Sequence, residues 1–276
     1  MEGASFSIQT SIYFKKIARI AIRENVWKFF IFSVIISFLV AAVVGEKMFT
    51  TFDSTKSGFF SITSSSIWIG IFNSIQSVCK EHDTIRDEYR SGARLSSYVT
   101  ANVLWQLVVC FLQSVIILVV CTFFVDFNSD GVIFPAILEY FITIFLLVFC
   151  ADIMGIMISS IASTSTTAMT IMPFVLIIQL IMSGVLFKLE GWSEKISCIT
   201  FSKWGMSAFG ATAEMNSDDL PLAISEAFPN VFRIEKEAYY DSTVENILTA
   251  WGCCILIAIV CYFLSILSLK IKNKGS

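Results

Sequence analysis

Histidine, proline and charged side chains are all scarce in this sequence. Its 276 residues include one histidine, four prolines and only 15% charged residues. With His82 as the only imidazole, the sequence has no set of histidines for a zinc cluster or a histidine-based catalytic triad. A GxxxxGK[ST] phosphate-binding loop and a CxxC pair are both missing. We therefore expect no catalytic residue and no metal ligand on this chain.

Apolar residues, in contrast, are abundant. They make up 56% of the sequence, with 26 phenylalanines, and the mean hydropathy is +0.77. Several runs reach the roughly 20 residues that a helix needs to cross a bilayer. The pattern predicts an all-α polytopic membrane protein whose residues 1–276 form a single transmembrane domain. The six predicted spans are about 26–44, 58–78, 99–124, 132–161, 168–187 and 247–269.

Two segments outside these spans have a pattern of their own. Residues 5–24 predict an amphipathic helix that lies at the membrane surface with its cations towards anionic headgroups. These cations fall within one arc of the helix: Lys15, Lys16, Arg19 and Arg23. Residues 188–245 are long and polar, and predict an external helical cap with short helices near 192–199 and 204–214.

Lysine and arginine are distributed unevenly between the predicted loops. They concentrate near the N-terminus, between spans two and three, and at the C-terminus, whereas the short outer loops hold only Lys47 and Lys56. The positive-inside rule then places both termini and the 80–98 block in the cytoplasm. We expect an integral plasma membrane protein with the 188–245 cap outside.

The charged block 80–98 separates spans two and three. It carries nine ionisable side chains and cannot lie in hydrocarbon. If it is helical, Ile85 and Tyr89 lie four residues apart and form a small apolar ridge flanked by charge. Composition alone leaves two interpretations open, a solvated loop between spans or a helix that docks on another protein.

Polar residues inside the predicted spans indicate which faces turn inward. The second span is rich in serine and also contains Asn73 and Gln76, so it should face the protein interior or a pathway. In the third span, Asn102, Gln106 and Gln113 share one face, which we expect to pack against other spans.

Two acids fall within apolar runs. Asp152 lies near the predicted midplane, where it either makes a structural hydrogen bond or contacts a proton or substrate. Glu139 lies about two turns from the outer end of its span and is placed to reach the headgroups.

Two further features are ambiguous or misleading. Cys198 stands alone in a polar loop, where it is either a free or buried thiol or one half of a disulfide between chains. Asp126, Asn128, Asp130 and Gly131 match the first half of a calcium loop, but the twelfth position is Ile137 rather than glutamate. We interpret this stretch as a turn.

Three local motifs occur in a characteristic order along the chain. Residues 80–98 contain Glu81 and Glu88 seven residues apart, followed by Gly92 and Tyr98. After span five come Ser183, Gly184, Val185 and Leu186, and Trp204 with Gly205 opens a short helix before span six. In this order the sequence resembles the membrane domain of ABC exporters of the type-2 class, as in the G subfamily, over nearly its whole length.

The resemblance implies a permease that works as a dimer of like or unlike chains with a separate ABC ATP-binding subunit. ATP and magnesium would bind that partner, and no cofactor or nucleic acid is expected on this chain. Residues 80–96 would form the coupling helix, with these partner contacts: Glu81, Asp83, Ile85, Arg86, Glu88, Tyr89 and Arg90. Glu81 and Glu88 would either pair with cations of the partner or brace the amphipathic N-terminal helix. Spans two and five would line the substrate pathway through Phe72, Asn73, Gln76, Gln179 and Met182, below an outer gate of Val185 and Leu186.

Two other classes of protein fit the same composition. One is a six-span secondary transporter or channel driven by an ion gradient, and the other is a membrane scaffold or immunity protein that transports nothing. The aromatic and methionine content favours an amphipathic or lipid-like cargo.

Overall fold

Helices account for all the regular secondary structure in the described part of this computed structural model, residues 5–45, 48–127, 130–216 and 237–274. The all-α class is confirmed there. Features predicted at Lys47, Asn128 and residues 217–236 of the cap lie outside the described residues. The α-helices in chain order are α1 (Phe6–Arg23), α2 (Trp27–Val44), α3 (Phe52–Ser74), α4 (His82–Arg90), α5 (Leu95–Thr122), α6 (Ala136–Ile161), α7 (Ser165–Ile181), α8 (Trp192–Ser197), α9 (Phe201–Thr212) and α10 (Val244–Lys274).

Four of these helices are long and apolar enough to cross a membrane by length and composition, namely α2, α5, α6 and α10. The other two predicted spans correspond to α3, which is rich in hydroxyl groups, and to α7, which has only 17 residues. Within α3, the hydroxyls of Ser61, Ser64 and Ser66 each donate to the backbone carbonyl four residues earlier. Such bonds make serine compatible with an apolar environment. The count of six spans stays a prediction.

The close packing of α3 against α6 forms the centre of the molecule. At Gly70 a Cβ atom would overlap the carbonyl oxygen of Val148, and at Gly155 it would overlap the hydroxyl of Ser74. The same Ser74 hydroxyl donates to the backbone oxygen of Asp152 at 2.5 Å. Because small residues let two helix backbones approach each other, these glycines determine how closely α3 and α6 pack.

The helix α9 is inserted among the other helices, which differs from the predicted external cap. Eleven of its twelve residues are buried, all except Trp204. Gly205 leaves room for Leu147 of α6, and Gly210 leaves room for the ring of Tyr240. The hydroxyl of Ser202 donates to the backbone oxygen of Gln179 in α7 at 2.5 Å. Small residues on α9 therefore allow it to pack where a bulkier polar helix would have to remain outside.

Glu139 secures the far end of α9. Its carboxylate accepts hydrogen bonds from the hydroxyl of Thr212 at 2.7 Å and from the backbone N–H groups of Ile133 and Phe134. The side chain is fully buried. The expectation that Glu139 reaches the headgroups is wrong, because these three donors satisfy it inside the protein.

Candidate functional site

The charged block folds as two short pieces and not as one helix over 80–96. A 3-10 turn over Cys79–Glu81 leads into α4, and α5 begins at Leu95. Gly92 ends α4 because it adopts a φ of 89°, in the left-handed region that favours glycine. The backbone N–H of Gly92 donates to the carbonyl oxygen of Tyr89, and the backbone N–H of Ala93 donates to the carbonyl oxygen of Glu88. This pair of hydrogen bonds is a Schellman motif.

One face of α4 is packed inside the protein. Ile85 is 3% exposed and lies in an apolar cluster with Tyr13 of α1 and Leu95 and Tyr98 of α5. The predicted ridge of Ile85 and Tyr89 is therefore divided, since Tyr89 remains half-buried at the edge of that cluster. Ile85 therefore packs α4 against α1 and α5 of the same chain and is not available to contact a partner.

Glu88 is held by the N-terminal helix. Its Oε1 accepts a hydrogen bond from Nζ of Lys16 at 2.9 Å, and both side chains are about a third exposed. Burial, followed by the hydrogen bond and charge of Glu88, raises the pKa of Tyr13 well above its usual range. Lys16 was expected to face the headgroups, but the structure pairs it with α4. Glu88 thus braces α1.

Glu81 occupies a more enclosed position in the same contact. The hydroxyl of Tyr98 donates to its Oε2 at 3.3 Å, and Nζ of Lys16 lies 4.0 Å away. Burial raises the pKa of Glu81, although Lys16 and the Tyr98 hydrogen bond act in the opposite direction. Both glutamates of the motif therefore link α4 to α1 and α5.

The outward face of α4 is polar. Asp83, Asp87 and Arg90 are exposed, and the side chain of Asp83 is completely so. At spacings of four and three residues they share one side of the helix. Arg86 is half-buried, and its Nε has no hydrogen-bond partner within the described residues. Of the predicted partner contacts, Asp83 and Arg90 are the ones that this arrangement leaves most exposed.

The helix α1 is fastened along the beginning of α5. The backbone N–H of Arg94 donates to Oε1 of Gln9 at 2.9 Å. The rings of Tyr13 and Tyr98 meet edge to face with centroids 5.5 Å apart, and Phe14 meets Trp105 in the same way at 6.1 Å. A displacement of α4 therefore acts on α1 and α5 together.

A cavity of about 470 Å³ opens beside this contact, between the C-terminal end of α1, the beginning of α2, the C-terminal end of α3 and the first turns of α5. Three predicted pathway residues, Phe72, Asn73 and Gln76, line it and are half-buried. We call it the inner cavity. Its other lining residues include several from α1 and α5, which the sequence did not assign to a pathway.

The three amides of α5 have different environments. Gln113 exchanges hydrogen bonds with Asn73 at 2.6 and 3.1 Å and donates to Ser33 of α2 at 3.0 Å, as expected for a packing face. Gln106 makes only a long contact of 3.4 Å to the backbone of Asn73. Asn102 lines the inner cavity, is 3% exposed, and its Nδ2 has no hydrogen-bond partner within the described residues. Sequence reasoning assigned all three to packing.

The remaining predicted pathway residues lie elsewhere. Gln179 is buried near the end of α7, where its Oε1 accepts from the backbone N–H of Ser202 at 3.3 Å. Met182 is half-buried at the end of the same helix. Neither residue lines the inner cavity. The structure thus brings together the α3 candidates and separates them from the α7 candidates within one chain.

The predicted outer gate follows α7 in a tight turn. Gly184 has a φ of 80°, and the hydroxyl of the buried Ser183 donates to the backbone oxygen of Leu180 at 2.7 Å. Val185 is half-buried against the core, while Leu186 is 52% exposed. Val185 therefore packs against the core of its own chain, whereas the side chain of Leu186 remains exposed on the surface.

Asp152 lies in α6 where that helix packs closely against Ser74 of α3. Its side chain is fully buried, and neither carboxylate oxygen has a hydrogen-bond partner among the residues that the structure describes. The expected structural hydrogen bond is absent from these residues. An ionised carboxylate buried in this way loses its hydration, a cost that only a paired charge or several hydrogen bonds would offset.

Cys198 is exposed and free of a disulfide within the chain. Its Sγ lies 3.5 Å from the backbone oxygen of Glu194 and 3.6 Å from Nζ of Lys203. A buried thiol is thereby excluded, and pairing with a second chain stays open.

Comparison with known families identifies one match. The family model described as ABC2_membrane, ABC-2 type transporter, matches residues 8–212, about three quarters of the chain. This range begins in α1 and ends with the last residue of α9. No curated protein matches the sequence.

Proposed function

This chain belongs to the ABC-2 type transporter family, and we propose that it is the permease subunit of an ATP-driven exporter whose ATPase is a separate chain. The observation that carries the proposal is the arrangement of α4. It is a short charged helix fastened on its inner side to α1 and α5 and polar on its outer side.

The force from the ATPase would enter through the outward face of α4. A partner that binds Asp83, Asp87 and Arg90 would move α4 as a rigid piece, because Ile85 is packed and Glu88 is held by Lys16. Rigid-body movement of a packed element is a common way to convert a local event into a larger rearrangement. The motion would tilt α3 and α5, the helices on either side of α4.

The proposed architecture has six spans, α2, α3, α5, α6, α7 and α10, in the plasma membrane with both termini and α4 in the cytoplasm. ATP and magnesium would bind the partner. A second permease chain completes the pathway in this proposal, since the α3 and α7 candidates lie apart within one chain. The exposure of Leu186 supports the same view, because a gate needs an opposing surface.

The proposal is tested by purifying the tagged full-length chain from its native membrane in mild detergent and identifying the retained proteins by mass spectrometry. We expect a near-stoichiometric ATP-binding-cassette ATPase. The double variant Asp83→Lys/Asp87→Lys should lose it, because charge reversal acts on the outward face of α4 and leaves Ile85 and Glu88 in place.

The matched control is Glu194→Lys on the exposed helix α8, which should retain the ATPase. If no nucleotide-binding chain is retained by the wild type, even after cross-linking through residues 80–98, the proposal fails. A membrane scaffold or a gradient-driven carrier would then be the better-supported function.

Asp152 favours one rival specifically. An acid buried within an apolar helix is a feature of carriers that move protons through the bilayer. A gradient-driven carrier would need this carboxyl for transport and would need no ATPase, so the purification above and a test of Asp152 separate the two candidates.

A further inference from the structure

We infer that the inner cavity binds an amphiphile with a zwitterionic headgroup, of the kind that phosphatidylethanolamine presents in the inner leaflet. This goes beyond the proposed function, because binding requires neither the ATPase nor transport of the molecule that is bound. The inference rests on the shape of the cavity, one buried amide that lacks a well-aligned hydrogen bond within the described residues, and the signs of the charges around the cavity.

The cavity has the size and lining of a ligand site. Its volume of about 470 Å³ falls within the range of roughly 300–1,000 Å³ that is usual for small-molecule pockets. Its apolar wall has contributions from four helices and includes Ile17, Phe29, Phe72, Trp105 and Val109. Such a wall suits an acyl chain or another extended apolar group.

Asn102 presents to the cavity a side-chain N–H that makes no well-aligned hydrogen bond within the described residues, although the hydroxyl of Tyr98 lies beside it. Asn102 is 3% exposed and lines the cavity, and its Nδ2 has no partner in the described part of the chain. A buried polar group without a good hydrogen bond is costly, because it has given up its bonds to water. An ester or phosphate oxygen of a ligand would accept this hydrogen bond and remove that cost.

Charges of both signs surround the polar side of the cavity. Lys28 and Lys80 are exposed there, together with Glu24, while Glu81 is half-buried. A simple anion would meet the two carboxylates, and a simple cation would meet the two lysines. A headgroup that carries phosphate and ammonium together matches both pairs, since each charge finds an opposite one.

The position of the cavity selects a lipid over a soluble molecule. It lies where the surface helix α1 turns into α2 and where α3 ends, which is where hydrophobic and charged lining meet. Tryptophan and lysine at such a place are typical of a membrane interface, and Trp105 and Lys28 are both in the lining. The headgroup would face the charges and the chain would lie against the apolar wall.

The test is native mass spectrometry of the full-length chain, with its ATPase if that is retained, after exchange into detergent with added lipid. The probes are phosphatidylethanolamine, phosphatidylglycerol as an anionic lipid, and glycerophosphoethanolamine as the headgroup without chains. We expect one phosphatidylethanolamine retained per permease chain, less phosphatidylglycerol, and no retention of the chain-free headgroup.

Two variants locate the lipid. Ala21→Trp fills the cavity and should abolish retention, whereas Ala42→Trp, on the exposed side of α2 and outside the lining, should not change it. Asn102→Leu removes the donor and should weaken the apparent affinity roughly fivefold, as expected for one hydrogen bond.

Equal retention by Ala21→Trp and Ala42→Trp would overturn the inference, and so would equal retention of the two lipids by the wild type. If Ala21→Trp does not yield folded protein, the inference is tested with Asn102→Leu alone. An unchanged affinity of Asn102→Leu for phosphatidylethanolamine would then overturn the inference. Neither result bears on the ATPase, so failure here leaves the proposed function standing.

Discussion

Single side chains decide how α4 is joined to the rest of the molecule. Lys16 and Glu88 form an ion pair at 2.9 Å, and Glu81 accepts from Tyr98 in a more enclosed position. A partly exposed ion pair contributes about 1 kcal/mol or less. The buried Ile85 is therefore the stronger attachment, and the charges mainly set the orientation of α1 relative to α4.

The first prediction concerns Glu81 and pH. Its pKa is raised above the ordinary value of 4.5, mainly by burial. A carboxyl group whose pKa is higher in the folded state than in the unfolded state stabilises the fold fully at a pH below its unfolded-state pKa. This stabilisation is lost as the pH rises through its folded-state pKa. Glu81→Gln should therefore melt at a higher temperature than the wild type at neutral pH, and the difference should vanish as the pH falls below 4.5.

The control for this prediction is Glu88→Gln, measured by thermal melting over the same pH range. It should melt lower than the wild type at neutral pH, because Lys16 loses the closer of its two ion pairs, at 2.9 Å, and keeps the one with Glu81 at 4.0 Å. A lower melting temperature for Glu81→Gln at neutral pH would contradict the dominance of burial at that position.

The second prediction concerns Asp152. The substitution Asp152→Asn keeps nearly the same side-chain size and removes the ionisable group, so expression and melting temperature should be retained or rise. Under the proposed function, ATP-dependent transport in reconstituted vesicles should also be retained. Loss of transport with normal expression and assembly would support the proton-driven rival.

At the scale of helices, close packing depends on glycines at a few contacts. The glycines Gly70 and Gly155 allow α3 and α6 to approach, and Gly205 and Gly210 allow α9 to enter the bundle. Overpacking such contacts costs about 1–3 kcal/mol. Gly252 of α10 is different, since an added Cβ there would have no atom within 4 Å.

The third prediction compares two equal substitutions. Gly70→Ala should lower the melting temperature of the purified protein, because the new Cβ would overlap Val148 and Ala151. Gly252→Ala should leave it unchanged or raise it, because alanine is favoured over glycine by up to about 1 kcal/mol within a helix. Similar effects of the two substitutions would show that α3 and α6 are not packed this closely.

For the whole molecule, the order of helices determines which surfaces share one side of the membrane. The proposed six spans put α4 and the chain termini on one side and α8 with Cys198 on the other. Cys198 is exposed. The cysteines of α5, α6 and α10 are buried, except Cys253, which is half-buried within α10, a candidate span. Orientation is therefore accessible to thiol labelling.

The fourth prediction is that a membrane-impermeant maleimide labels Cys198 on intact cells and that Cys198→Ser abolishes the signal. In the Cys198→Ser background, Ser91→Cys at the exposed end of α4 should be labelled only in inverted vesicles. Labelling of Ser91→Cys on intact cells would reverse the proposed orientation. A wild-type chain that is labelled only after reduction would instead indicate a disulfide between chains.

The sequence by itself determined the all-α class, the membrane location and the family, because apolar run length and the order of local motifs are properties of contiguous residues. It also predicted a helix over residues 5–24, where α1 forms, but its coupling helix over 80–96 missed the end of α4, which the left-handed backbone of Gly92 sets. Only the tertiary structure decided which distant segments meet. It turned Ile85 inward, paired Lys16 with Glu88, buried Glu139 beneath Thr212 and inserted α9. It also separated Asn102 from Gln113, two amides on one helix face, because the first borders a cavity and the second meets α2 and α3. Periodicity places a side chain on a face, but the neighbour that this face meets depends on packing between elements far apart in the chain.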